Sequence, residues 1–163
     1  MNPQPGDFAV VRLNGTAGKL IRLGQWLNGD GFADYEHAFV YVGNDQIVEA
    51  EPGGAELNSV TRYATSDVLW STGKVLLSDE QRSSIVEAAK GFVGVPYSFL
   101  DYLLIALKRF HITVPILNRR VLGSKHMICS QLVAQSYKDS GIDLCDEPPY
   151  SITPGDLANL LGE

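Results

Sequence analysis

Hydrophobic and polar positions alternate most clearly between residues 37 and 51. His37-Ala-Phe-Val-Tyr-Val-Gly43 and Gln46-Ile-Val-Glu-Ala-Glu51 are β-rich runs separated by Gly43-Asn44-Asp45, residues suited to a tight reversal. The pattern predicts a hairpin. With a three-residue turn, Val42 would oppose Gln46, Phe39 would oppose Glu49, and His37 would oppose Glu51. Ala38, Val40 and Val42 then face a core, while His37, Glu49 and Glu51 share the other side. Asp7-Phe-Ala-Val-Val-Arg12, after the turn-forming Pro5-Gly6, predicts an earlier strand; Gly54 to Val60 and Lys74 to Leu77 predict two more.

Helical spacing takes over after Ser78. Ser78 and Gln81 form a capping-box pattern, and Ile85, Ala88, Ala89 and Phe92 recur on one face until Gly94 and Pro96, predicting a helix over 79–93. Ser98 with Asp101 opens a second helical pattern with Leu100, Leu103, Leu104 and Leu107 on its apolar face, ending near Phe110. The stretch from His111 to Lys125 has no steady period and reads as a loop or insertion. From Ile128 to Ser140, Leu132, Val133, Ser136 and Tyr137 fall on one side, with Gly141 placed to close the helix. Gly18 to Trp26 fits one or two helical turns loosely.

A chain of 163 residues with 45% hydrophobic side chains has enough apolar surface for one core, so a single domain over 1–163 is expected. The formal net charge of -6 argues against general nucleic-acid binding. The N-terminal residues show neither the basic nor the apolar region of a secretory signal, which makes a cytoplasmic location the default expectation. The longest apolar stretch, Phe99 to Leu107, is interrupted by Asp101 and is too short to span a bilayer.

Two cysteines, Cys129 and Cys145, cannot build a disulfide framework, and no spacing of Cys and His suggests a zinc site. Cys129 falls in the first turn of its predicted helix, where the backbone dipole and unpaired N–H groups favour a thiolate and can hold an oxyanion. A buried core cysteine is the plain alternative. A nucleophilic thiol needs a base, and only His37, His111 and His126 are available. His37 is the best placed, because a strand holds its imidazole rigidly. Either Glu49 or Glu51 can orient it; spacing alone does not choose between them.

These pieces resemble a known family. His37 through Ala50 is similar to the histidine hairpin of NlpC-type cysteine peptidases, in which the third polar residue follows the histidine by twelve positions; that resemblance selects Glu49. Gly94-Val-Pro-Tyr97 looks like the element preceding the nucleophile in that superfamily. Ile128-Cys-Ser-Gln-Leu-Val133 looks like its nucleophile helix, and Pro5-Gly6-Asp7 and Ile152-Thr-Pro-Gly-Asp-Leu157 look like its edge motifs. Here the histidine precedes the cysteine, as in the circularly permuted YiiX-like branch and its relatives of the lecithin retinol acyltransferase type.

The resemblance implies an α+β papain-like fold, with a small antiparallel sheet or partial barrel packed against the cysteine helix. It also implies a cysteine hydrolase or acyltransferase with Cys129, His37 and Glu49 as its triad, Tyr97 near the oxyanion, and no metal or organic cofactor. A cell-wall peptide or an acyl lipid is the expected substrate, and a non-catalytic peptide- or lipid-binding module is the alternative. Gln131 departs from the glycine frequent in the peptidases. Lys108, Arg109, Arg119, Arg120 and Lys125 are five of thirteen basic residues, in a span from 102 to 138 without Asp or Glu, so residues 108–125 are a candidate peripheral membrane contact.

Overall fold

A computed structural model describes residues 2–13, 35–96 and 127–163. The expected helices over 18–26 and 98–110, the expected loop over 111–125, Tyr97, His111, His126 and the basic segment 108–125 lie outside the described residues.

Among the described residues, five strands form one open antiparallel sheet: β1 (Phe8–Arg12), β2 (His37–Gly43), β3 (Gln46–Glu51), β4 (Gly54–Ser59) and β5 (Asp67–Trp70), in the order β4-β3-β2-β1-β5. A 3-10 turn, Val60–Tyr63, connects β4 to β5. Three α-helices follow among the described residues: α1 (Asp79–Gly91), α2 (Cys129–Asp139) and α3 (Pro154–Leu160). The fold class is α+β, as expected.

The sheet has apolar groups on both faces. Phe8, Val10, Ala38, Val40 and Val48 join Ile85, Leu132, Val133 and Tyr137 in the main core beneath the helices. Ala9, Val11, Phe39, Ile47 and Tyr63 make a second cluster on the opposite face. This explains why β1 reads as an unbroken apolar run, since a strand covered on both sides loses the alternation of a half-exposed one. On the second face, Phe39 stacks on Tyr63 with ring centroids 5.3 Å apart and meets Trp70 edge-on at 5.4 Å.

The hairpin register holds where it matters for the site. Phe39 pairs with Glu49, Val40 with Val48 and Tyr41 with Ile47. The turn is tighter than expected: Gly43 pairs with Gln46, a register shift falls between Tyr41 and Gly43, and only Asn44 and Asp45 lie at the tip, both with positive φ. The irregularity absorbs the one-residue difference, so the side-chain faces beyond it stay in phase.

Lys74 to Leu77 is not a strand. The amides of Lys74 and Val75 both donate to the Ser71 carbonyl, which closes a turn and leaves no ladder for that segment. The strand in this region is instead β5, which pairs with β1 at Val10–Leu69 and Val11–Val68. Helix α1 has the expected capping box and stops at Gly91, with Phe92 as its cap and Gly94 at φ +90. Helix α2 starts at Cys129 itself, and Gly141 at φ +79 follows its cap, Ser140.

Both short edge motifs serve as clamps. Asp7 is fully buried; it accepts from the Gln4 amide at 2.8 Å, from Thr72 Oγ1 at 2.7 Å and from Arg82 Nη1 at 2.8 Å, tying the start of β1 to α1. In Ile152–Leu157, Thr153 and Asp156 cap α3 reciprocally, with Pro154 at its first position. The Ile152 carbonyl accepts from Ser130 Oγ at 2.6 Å, which fixes the first turn of α2.

Candidate active site

His37 is the first residue of β2, and Cys129 is the first residue of α2, which packs across β2 and β3. Each is 7% exposed, and the Cys129 thiol lies within hydrogen-bonding reach of the imidazole. The structure thus joins a strand start to a helix start far apart in sequence. The helix ladder begins with Leu132 N–H donating to Ile128 O at 2.9 Å, so the amides of the first turn have no carbonyl partner within the helix. The Ile128 side chain makes no capping bond.

On the other side of the ring, His37 Nε2 is 2.7 Å from Glu49 Oε2. Strand register explains the contact. Glu49 opposes Phe39, whose side chain lies on the His37 face, so the carboxylate reaches the ring diagonally. Glu51, the competitor at the level of spacing, goes elsewhere: both its oxygens accept from Arg62 Nη2, at 3.0 and 3.2 Å.

Glu49 is fully buried and has four side-chain donors. Oε2 accepts from His37 and from the Tyr63 hydroxyl at 2.5 Å; Oε1 accepts from Arg62 Nη1 at 2.7 Å and from Asn58 Nδ2 at 3.0 Å. Burial pushes its pKa up, but hydrogen bonding and charge from His37, with help from Tyr63 and Arg62, hold it below the usual carboxylate value. Burial likewise works against a charged His37, yet hydrogen bonds to Cys129 and Glu49 and their negative charges raise it from 6.5 to about 10. With Nε2 occupied by Glu49, Nδ1 is the ring nitrogen left for another partner.

Asn58, Arg62 and Tyr63 are absent from the reading of the sequence. Strand alternation makes Asn58 accessible to such a reading, because β4 pairs Asn58 with Ile47 and Glu56 with Glu49, placing both on the Glu49 side. Arg62 and Tyr63 sit on a 3-10 turn, where no period marks which side chains point inward.

Cys145 is far less suited to nucleophilic chemistry. Partial burial first, and then Asp156, Asp146 and Glu147, raise its thiol above the ordinary value. No group of three or more His, Cys, Asp and Glu among the described residues is arranged to hold a metal. No helix among them is long and apolar enough to cross a membrane.

No protein-family model and no curated protein matches the sequence. Among solved structures, the chain is similar to YiiX of Escherichia coli O157:H7, a DUF1105 protein described as a metalloprotein, with a TM-score of 0.58 and 20% identity over 96% of this chain and 79% of that one. At that identity the likeness is one of fold, and the α+β arrangement of an open antiparallel sheet with three helices is consistent with a small papain-like fold.

Proposed function

We propose that the chain is a cysteine-dependent hydrolase or acyltransferase of the circularly permuted NlpC type, acting on an amide or ester. The observation that carries this reading is His37 set between the Cys129 thiol, at a helix start, and a buried carboxylate 2.7 Å from its Nε2. The YiiX-like fold and the order of histidine before cysteine support the permuted assignment.

In the proposed reaction the proton rests on His37, and the Cys129 thiolate attacks the carbonyl carbon. A C–S bond forms, and the carbonyl π electrons move onto oxygen, where the first-turn amides of α2 stabilise them. The resemblance adds Tyr97 to that role. As the tetrahedral intermediate collapses, the C–N or C–O bond breaks and His37 gives its proton to the leaving group. Water or another acceptor then loses a proton to His37 and attacks the thioester, releasing the acyl group and restoring the thiolate. Glu49 keeps the imidazole oriented and balances its charge throughout.

The neighbour is described as a metalloprotein, and the side chains of this site are arranged differently from a metal-binding set. Both Glu49 oxygens are already occupied by donors, one of them a guanidinium, and His37 is engaged by both Glu49 and the thiol. That donor set does not fit a bound cation.

The test is alkylation by iodoacetamide near neutral pH in a Cys145→Ser background, followed by a panel of muropeptides and acyl lipids. Fast modification of Cys129 that slows sharply in His37→Ala, together with turnover of a panel member, is expected. A thiol that reacts no faster than a free cysteine in a folded protein overturns the catalytic reading in favour of a peptide- or lipid-binding module.

A further inference from the structure

The 3-10 turn after β4 contributes two of the four donors to Glu49, and nothing in the proposed reaction by itself requires them. The turn is firmly built. Ser59 Oγ caps it by accepting from the Thr61 amide at 3.3 Å, and the Val60 amide donates to Asp45 O at 2.9 Å, fastening the turn to the hairpin tip. Its last two residues then project toward the carboxylate. The Tyr63 ring stacks on Phe39 and has its centroid 5.8 Å from that of His37, which directs its hydroxyl onto Oε2 at 2.5 Å. Arg62 spreads its guanidinium between Glu49 at 2.7 Å and Glu51 at 3.0 Å.

A carboxylate held at one oxygen can rotate about its terminal torsion, which is soft for Glu. One held at both oxygens resists turning more strongly with each donor that must be broken, here Tyr63 beside His37 on Oε2 and Arg62 beside Asn58 on Oε1. We infer that Tyr63 and Arg62 are positioning residues that lock the plane of Glu49, so that Oε2 presents a lone pair to Nε2 of His37 at the 2.7 Å separation. The inference rests on the catalytic reading only for its consequence at the thiol; the locking of Glu49 is separately measurable.

Tyr63 suits the task because it remains a neutral donor: burial and the adjacent Glu49 charge push its hydroxyl well above the ordinary phenol value. Arg62 suits it because its planar fork serves two carboxylates at once. Glu51 in turn holds the guanidinium that holds Glu49, so the acid that does not meet His37 still acts on the site through Arg62.

The test uses the full chain carrying Cys145→Ser, with Tyr63→Phe, Arg62→Gln and Arg62→Lys as variants. Two quantities are read: the far-downfield proton of the His37 ring N–H by NMR, identified by its loss in His37→Ala, and the rate of Cys129 alkylation by iodoacetamide. Tyr63→Phe and Arg62→Gln are expected to broaden or displace the N–H resonance and slow alkylation roughly tenfold, within the ~10²-fold that small misplacements cost. Arg62→Lys should recover part of both. Tyr63→Phe retains the ring stacked on Phe39, so it decides the matter if Arg62→Gln fails to fold.

An unchanged N–H resonance and alkylation rate in Tyr63→Phe overturn the positioning role. An inert parental thiol whose N–H resonance nonetheless responds to Tyr63→Phe overturns the catalytic reading and leaves the locking of Glu49 intact.

Discussion

His37 Nε2 and Glu49 Oε2 lie 2.7 Å apart, joined across neighbouring strands by a diagonal that the hairpin register creates. Glu49→Gln retains an oxygen at this position and removes its charge. The imidazolium then loses its buried counter-charge, and the His37 pKa should fall from about 10. Turnover should drop on the order of 10²–10⁴-fold, the range associated with impaired acid–base catalysis. An NMR titration of the histidine ring checks the first effect, and alkylation kinetics or turnover checks the second.

The acid side of the stability profile has a definite sign. Glu49 titrates below its ordinary 4.5 in the folded protein, so its contribution is present above that value and lost as pH falls through the folded pKa. The melting temperature of the wild type should therefore decline toward low pH with a component that Glu49→Gln lacks. Parallel curves for the two proteins between about pH 5 and about pH 2, the range spanning ordinary carboxylate titration, contradict this account.

Around Gly6, two constraints coincide. Its φ is +88, and an added Cβ would lie 3.0 Å from Arg82 Cα, a backbone atom that cannot swing aside. Gly6→Ala should cost about 1–3 kcal/mol from the strained backbone, with the forced shift of α1 adding to it. Asp7→Asn breaks the pair with Arg82, whose guanidinium is largely buried, and should destabilise by about 3 kcal/mol. Chemical denaturation measures both, and a shift under about 0.5 kcal/mol in either case refutes the clamp.

Ser130 tests whether the start of the cysteine helix must be held. Its hydroxyl donates to Ile152 O at 2.6 Å in a buried setting, so Ser130→Ala leaves a carbonyl without that donor and should cost about 1–3 kcal/mol. Because Ser130 follows Cys129 directly, alkylation of the thiol should slow as well. Loss of stability with an unaltered alkylation rate would show that Cys129 is placed by other contacts.

Local pattern determined much of this protein. Alternation marked the hairpin and assigned Ala38, Val40 and Val42 to the core; Ser78 and Gln81 marked the start of α1; and the apolar spacing after Ile128 located the cysteine at a helix start. These features depend on residues within a few positions of one another, and so they are written in the chain. Tertiary structure decided between Glu49 and Glu51, because two carboxylates on one strand face are separated by what lies across from them: His37 reaches Glu49, while Glu51 meets the outer nitrogen of Arg62. It also supplied Tyr63 and Arg62 from an aperiodic turn, and replaced the expected strand at Lys74–Leu77 with β5, whose pairing with β1 depends on an edge that local sequence does not display. The meeting of Cys129 with His37 belongs to the same class, since it exists only when a helix and a sheet from distant parts of the chain pack together.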